Sequence, residues 1–392
     1  MKNPSTRILA LVAVTILALA GCGGSGSGSS GDKTVTFAVV GPFTGDNAAY
    51  GSNLANGVEL AVDEINAQGG AKGQKFVIKK FDDKCNPTEA ANVASRIVSD
   101  SSIFAVIGHV CSSSTLAALP IYERAGLAVV SPSSTSPAVT KQGHANFSRT
   151  IPNDATQGAQ LVEFAVKGMG KKRIALVYPS DDFGQGLHGT AQPQVAKAGG
   201  QLVGDMTYTP STTKDFTPQL TRLAAAKPDV IVMLGYYNDM GTMVSQLDRV
   251  GLSGVDLLGC AGIAQPQYAT LAGKAGEGTV IISYYDPANP LSANQTFVKR
   301  FRDKFGGEPS EQAAYGYEVP FIYKLAIESG ATKSDVAQAV RKATYEGPTG
   351  TTKFADTGDV VGKSGVVVVV KDGKLVLDPA LTKQAEDLAK QL

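Results

Sequence analysis

The chain has 392 residues, 43% hydrophobic and 18% charged, with a formal charge of +1. That length suits two domains of roughly 150–200 residues; near-neutral charge argues against a nucleic-acid binder, and high apolar content against disorder. No run reaches the ~18 consecutive apolar residues of a membrane span, and three histidines (His109, His144, His188) without a Cys/His cluster give no basis for a zinc site.

Lys2 and Arg7 precede an apolar run of 13 residues, 8–20, broken only by Thr15. This is the pattern of a signal peptide over residues 1–21, too short to cross a bilayer. Its loss removes two positive charges and brings the net to −1. Leu19-Ala20-Gly21-Cys22 resembles the bacterial lipobox, which implies cleavage before Cys22 and lipidation of its thiol. Residues 23–31 are all Gly or Ser. They make 22–33 a flexible tether, so the expected body is anchored to a membrane rather than spanning it.

Residues 34–40 form a β-branched run read as a buried strand. A helix follows, with Leu54, Val58, Ala61, Val62 and Ile65 on one stripe, stopped by Gly69-Gly70. Phe76-Val77-Ile78 starts a second strand. Thr88 is read as the cap of a helix whose face carries Ala90, Val93, Ala94, Ile97 and Val98. Strands are expected at 104–107 and 127–130, with a helix opening at Ser112 between them. This β-α alternation predicts an α/β fold, a doubly wound parallel sheet covered on both faces. It repeats with strands at 173–178, 201–207, 230–234 and 278–283, and helices at 183–198, 215–226 and 239–251. The tail reads as helices at 291–305, 310–329 and 333–344, then a hairpin turning at Asp372-Gly373. Absence of a Pro- or Gly-rich linker between the two units suggests short hinge crossings.

Of the four cysteines, Cys22 is assigned to lipid. Cys85 and Cys111 each follow a strand-like run, at what would be the carboxyl ends of neighbouring parallel strands. In an oxidising compartment a bridge between them is expected, worth about 3 kcal/mol of chain entropy. Cys260 is left as a free, buried thiol.

Gly184-Gln185-Gly186-Leu187-His188-Gly189 matches a dinucleotide fingerprint on paper. Residues 179–183 separate it from its strand, spoiling the tight turn that a phosphate needs; the run reads as glycines opening a helix. The segment 358–364 ends in Gly-Lys-Ser but is one residue short of a phosphate loop. No nucleophile-and-base pairing appears, so no enzyme activity and no cofactor or metal is expected.

Two hydroxyl runs stand out instead. Residues 108–115, Gly-His-Val-Cys-Ser-Ser-Ser-Thr, lead from a strand into a helix, where free N–H groups and a positive dipole end meet three serines. Such a place suits a carboxylate. Residues 131–137, Ser-Pro-Ser-Ser-Thr-Ser-Pro, follow the next strand and offer carbonyls with hydroxyls, as a zwitterion requires. Both lie at the carboxyl edge of one expected sheet, where open α/β sheets bind ligands.

These runs, with Ala49-Tyr50-Gly51, residues 65–70 (Ile-Asn-Ala-Gln-Gly-Gly) and Lys214-Asp215-Phe216, resemble the branched-chain amino-acid (Leu/Ile/Val) binding proteins of ABC importers. The resemblance implies a type I periplasmic binding protein: two doubly wound lobes joined by three hinge crossings, closing on a ligand. Lobe 1 would be 34–152 plus 285–347, and lobe 2 would be 153–284 plus 348–392. It further implies that Ser112 and Thr135 bind the ligand carboxylate, and that the Ser133 carbonyl with the Thr135 hydroxyl takes the ammonium beside Ser134. Tyr50 and Val110 would line the pocket from lobe 1; Phe183 and Tyr236 would close from lobe 2, Phe183 replacing a usual tyrosine. In the family an acid in a Pro-Glu-Gly context also meets the ammonium. Here the stretch is Gly259-Cys260-Ala261-Gly262, and Ala261 stands in its place. Either Asp182, Asp239 or Glu318 substitutes, or the ligand lacks an ammonium. The expectation is a monomeric, exported receptor for a small neutral amino acid, delivering it to an ABC permease and its ATPase. The alternatives are a receptor for a non-amino carboxylate or amide such as an aromatic acid, and a ligand-binding sensor subunit.

Overall fold

Seven of the eight residues of the first strand, β1 (Thr34–Gly41), are buried in the computed structural model, which describes residues 34–392. The expected signal peptide, the expected lipidation at Cys22 and the expected tether lie outside the described residues. A strand buried on both faces reads as a continuous apolar run, and β1 sits inside a sheet accordingly. It is flanked in parallel by β2 (Lys75–Asp82) and β3 (Ile103–Ile107); β4 (Val129–Ser131) and β5 (Phe147–Arg149) complete the sheet, in the order β2-β1-β3-β4-β5. Helices α1 (Ala48–Ala67), α2 (Pro87–Ser99) and α3 (Ser112–Arg124) make the crossovers. The cap of α2 is Asn86, not Thr88: the Asn86 side chain accepts the N–H groups of Thr88 and Glu89 at 2.9 and 3.1 Å.

The second sheet contains β6 (Arg173–Pro179), β7 (Gln201–Tyr208), β8 (Val230–Met233), β9 (Asp256–Gly259) and β10 (Val280–Ser283), all parallel. The helices Ser292–Phe305, Glu311–Glu328 and Val336–Lys342 follow. The 311–328 helix packs along α1 so closely that a Cβ on Gly57 would meet the Ala313 carbonyl oxygen at 2.0 Å. Next come β11 (Tyr345–Gly347), β12 (Gly350–Phe354) and β13 (Val360–Val361), a small antiparallel sheet. The chain then re-enters the second sheet as β14 (Val366–Lys371), antiparallel to β10, and β15 (Lys374–Leu377), antiparallel to β14. The sheet order is β15-β14-β10-β9-β8-β6-β7. The chain therefore passes from one large sheet to the helices and strands of the other three times: after β5, after β10 and after β13. The fold is α/β with two largely parallel sheets.

Several expectations change. The helix expected at 239–251 ends at Val244, and a separate 3-10 turn spans Leu247–Val250. A lobe boundary at 347 would cut the β11–β12 pair, in which Gly347 faces Gly350. Strands β5 and β9 and the small sheet are too short to carry a periodic signal. The hairpin turn falls where expected: Asp372 and Gly373 take φ of +50° and +68°, the left-handed pair such turns need. Among the described residues no helix is long and apolar enough to cross a membrane.

Candidate functional site

The carboxyl ends of β3 and β4 point at the start of α3, and this is where the hydroxyl runs meet. The N-cap of α3 is Cys111, which provides no side-chain cap. Its sulfur is bonded to Cys85, with the two Cα atoms 5.4 Å apart. The expected bridge therefore forms, although β2 and β3 are not neighbours: β1 lies between them, and the bridge reaches over its end. An uncapped helix start keeps its first N–H groups open to an acceptor. Ser112, the first helical residue, is buried, and its Oγ accepts the Ser136 N–H at 3.1 Å.

The 131–137 loop is tied to β3 by its own hydroxyls. Ser131 Oγ donates to the His109 carbonyl at 2.7 Å and accepts the Ser134 N–H at 2.9 Å. Ser134 Oγ also reaches the His109 carbonyl, at 3.1 Å, and bonds Thr115. Arg149, fully buried, donates to the carbonyls of Ser134 and Ser136 at 2.8 and 3.0 Å. Ser133 and Thr135, whose side chains take no part in these ties, line a cavity instead.

This cavity lies between the two sheets. Tyr50, Val110, Ser112, Ser133 and Thr135 line it from the side of the first sheet. Phe183, Tyr236 and Ala261 line it from the other side. Eight of the nine expected residues thus converge; Ser134 does not, because its hydroxyl is spent binding the loop to β3. Phe183 and Tyr236 lie with ring centroids 5.1 Å apart, and the Tyr236 hydroxyl donates to Asp181 at 2.6 Å. Burial pushes the Asp181 carboxyl up, against the pull of that hydroxyl.

The two sides touch. The Tyr50 hydroxyl donates to the Gly262 carbonyl, Tyr237 to the Asp46 carbonyl at 2.8 Å, and Lys214 pairs with Asp46 at 2.5 Å. Gln265 Nε2 meets Gln312 at 2.6 Å. This is a closed arrangement in which Tyr50, buried beneath, has its hydroxyl pKa raised well above the ordinary value by desolvation.

None of the three acids proposed to replace the missing carboxylate lines the cavity. Asp182 is exposed. Asp239 accepts the Ser211 N–H at 3.1 Å. Glu318 is taken by Lys363 at 3.0 Å and by the hydroxyls of Thr349 and Thr352. The acid that does line it is Glu311, with Gln157 and Gln312 nearby. Sequence reading missed all three; the one available signal was an acid in the first turn of the expected 310–329 helix. Cys260 is a free buried thiol, its pKa pushed up to about 12 by burial.

Burial also raises Asp154, Asp239 and Glu311 to about 7. Each carboxyl is then harder to ionise folded than unfolded, so the folded state binds more protons. Stability from these groups is complete below about pH 4 and is lost as pH rises through about 7. The unliganded protein should melt at a higher temperature at pH 6 than at pH 8 in scanning calorimetry; a lower one would contradict these assignments.

A family model described as "Periplasmic binding protein" matches residues 34–374. The chain is 32% identical to a Leu/Ile/Val-binding protein of Citrobacter freundii over 336 residues, 84% of this chain and 89% of that one. A leucine binding protein from Thermotoga maritima superposes with a TM-score of 0.82 at 30% identity, covering 88% of this chain and 98% of its own. A branched-chain amino acid transporter substrate binding protein from Streptococcus pneumoniae, in complex with isoleucine, gives a TM-score of 0.81 at 27% identity, covering 88% and 100%.

Proposed function

The chain belongs to the periplasmic binding protein family, with the type I fold of the Leu/Ile/Val-binding proteins, and on that premise we propose that it is the receptor of an ABC importer, closing two lobes on a small neutral amino acid. The observation that carries this reading is the convergence of Ser112, at an uncapped helix start, with Ser133 and Thr135 on one cavity between the sheets. Backbone N–H groups, hydroxyls and a helix dipole together favour a carboxylate. Phe183 and Tyr236 would close over the side chain. A ligand touching both lobes favours the closed state by the contacts that the open state lacks. We further propose that residues 1–21 are removed, that Cys22 carries a lipid, that 22–33 tether the body outside the cytoplasmic membrane, and that the closed form docks on a permease. Lobe 1 would comprise 34–152 and 285–361, keeping the small sheet whole, and lobe 2 the remainder.

Titration calorimetry against neutral amino acids and small carboxylates tests this; no heat from any of them would remove the reading. Ser112→Ala should weaken the bound probe by about 1–3 kcal/mol, and unchanged affinity would displace the carboxylate from α3. One observation favours a second reading: Ala261 leaves the far side of the cavity without an acid, as a receptor for a carboxylate lacking an amine would have it.

A further inference from the structure

The cavity is not without an acid; the acid comes from another element. Glu311 opens the 311–328 helix and is 4% exposed while lining the cavity. Its Oε2 accepts the Tyr284 N–H at 3.0 Å and the Ser283 hydroxyl at 3.4 Å. Among the described residues Oε1 accepts no hydrogen bond and no Lys or Arg pairs with the carboxylate. Glu318, two turns along the same helix, is the contrast: equally buried, it is neutralised by Lys363 and by threonine hydroxyls. A buried carboxylate left without a counter-charge is costly. Here the cost is compounded by Asp154, a second buried acid that acts on Glu311 through space. A cation entering the cavity relieves it.

We propose that Glu311 receives the ammonium of an α-amino acid whose carboxylate lies at Ser112 and Thr135, so that selection for an amine resides in the 311–328 helix instead of at position 261. The inference rests on the reading that those hydroxyls hold an acid group. The cavity is then bipolar, with donors at the start of α3 and an acceptor at the start of the 311–328 helix. A hydrogen bond to a charged group is worth about 10–100-fold in affinity, which sets the expected discrimination.

The test pairs each amino acid with its counterpart lacking the amine: leucine with 4-methylpentanoate, phenylalanine with 3-phenylpropanoate. In calorimetry the wild type should prefer the amino acid of at least one pair by about 10-fold or more. Glu311→Gln should erase that preference, weakening the amino acid and leaving the des-amino acid within about 3-fold, while Ser112→Ala weakens both. A preference that survives Glu311→Gln overturns the assignment. So does a wild type that takes the des-amino acids as tightly; if that binding still depends on Ser112, the acid-group reading stands and only Glu311 falls. If no probe binds the wild type, both fall.

A second measurement needs no variant. Asp154, the Tyr284 N–H and the Ser283 hydroxyl act on Glu311, with burial dominant; the Tyr50, Tyr284 and Tyr315 hydroxyls and the Cys260 thiol also face it, and burial keeps all four protonated across this range. Its carboxyl titrates at about 7 in the empty site, so the amino acid should bind more weakly as pH falls from 8 to 5.5, by up to about 10-fold per unit below 7. The des-amino acid should not. Parallel pH curves for the two would overturn the proposal.

Discussion

Arg149→Met is expected to destabilise the protein by about 3–5 kcal/mol, the cost of stripping one partner from a buried ion pair. Arg149 is fully buried and makes four hydrogen bonds at once. Its Nε donates to Asp359 at 2.6 Å, Nη2 to the Thr140 hydroxyl at 2.7 Å, and Nη1 to the carbonyls of Ser134 and Ser136. Burial tends to raise the Asp359 carboxyl, but the guanidinium beside it holds it below the usual range. Removing that charge leaves Asp359 unpaired in a half-buried site. It also frees two buried carbonyls of the loop that presents Ser133 and Thr135. Ligand affinity should therefore fall along with stability, although Arg149 does not line the cavity. Arg149→Lys keeps the charge but cannot reproduce the planar fork, and should fall between. Urea midpoints and calorimetric titration read both effects. A loss of less than about 1 kcal/mol, the size of one ordinary hydrogen bond, would contradict this role.

Loss of the Cys85–Cys111 bridge should separate stability from binding. The bridge closes a loop with a sequence separation of 26 residues, and opening it should cost roughly 3 kcal/mol of stability through the unfolded state. The site it adjoins is held by more than the sulfur. His109 Nδ1 meets Asp83 at 2.7 Å and its Nε2 meets the Tyr122 hydroxyl at 3.0 Å, all fully buried. That network ties the segment after β2 to the start of α3 independently. Affinity of the Cys85→Ser/Cys111→Ser variant should then stay within about 10-fold of the wild type, an effect of at most ~1.4 kcal/mol, while its melting temperature drops. An unchanged melting temperature would count against the bridge as a stabilising element; a collapse of binding would show that the cap geometry depends on the sulfur itself.

Much of the fold was legible because its signals are local. The apolar stripe Leu54, Val58, Ala61, Val62, Ile65 needs only its own helix to be read, and all five are buried in α1. The hydroxyl runs were legible because each is contiguous and sits at a strand end. Within a run the reading weakened: Ser133, Ser134 and Thr135 are chemically alike, and only the bonds of Ser134 to His109 and Thr115 decide that it faces inward. The same holds for the cap of α2, where Asn86 and Thr88 could each supply an oxygen and the backbone conformation selects Asn86.

The sequence by itself determined the α/β class and the hydroxyl-rich edge of the first sheet, because each follows from periodicity or from chemistry carried within a few neighbours. The pairing of Cys85 with Cys111 followed from their places after strand-like runs, and Tyr50, Val110, Phe183, Tyr236 and Ala261 came only with the family resemblance. Tertiary structure alone decided which acid reaches the cavity. Asp182, Asp239, Glu311 and Glu318 are equivalent as carboxylates along the chain. They are sorted by solvent, by the Ser211 amide, and by Lys363 arriving beside Glu318 from the segment between β13 and β14. Only Glu311 is left buried, uncompensated and on the cavity wall, since charge neutralisation depends on which distant segments fold together and no local pattern encodes it.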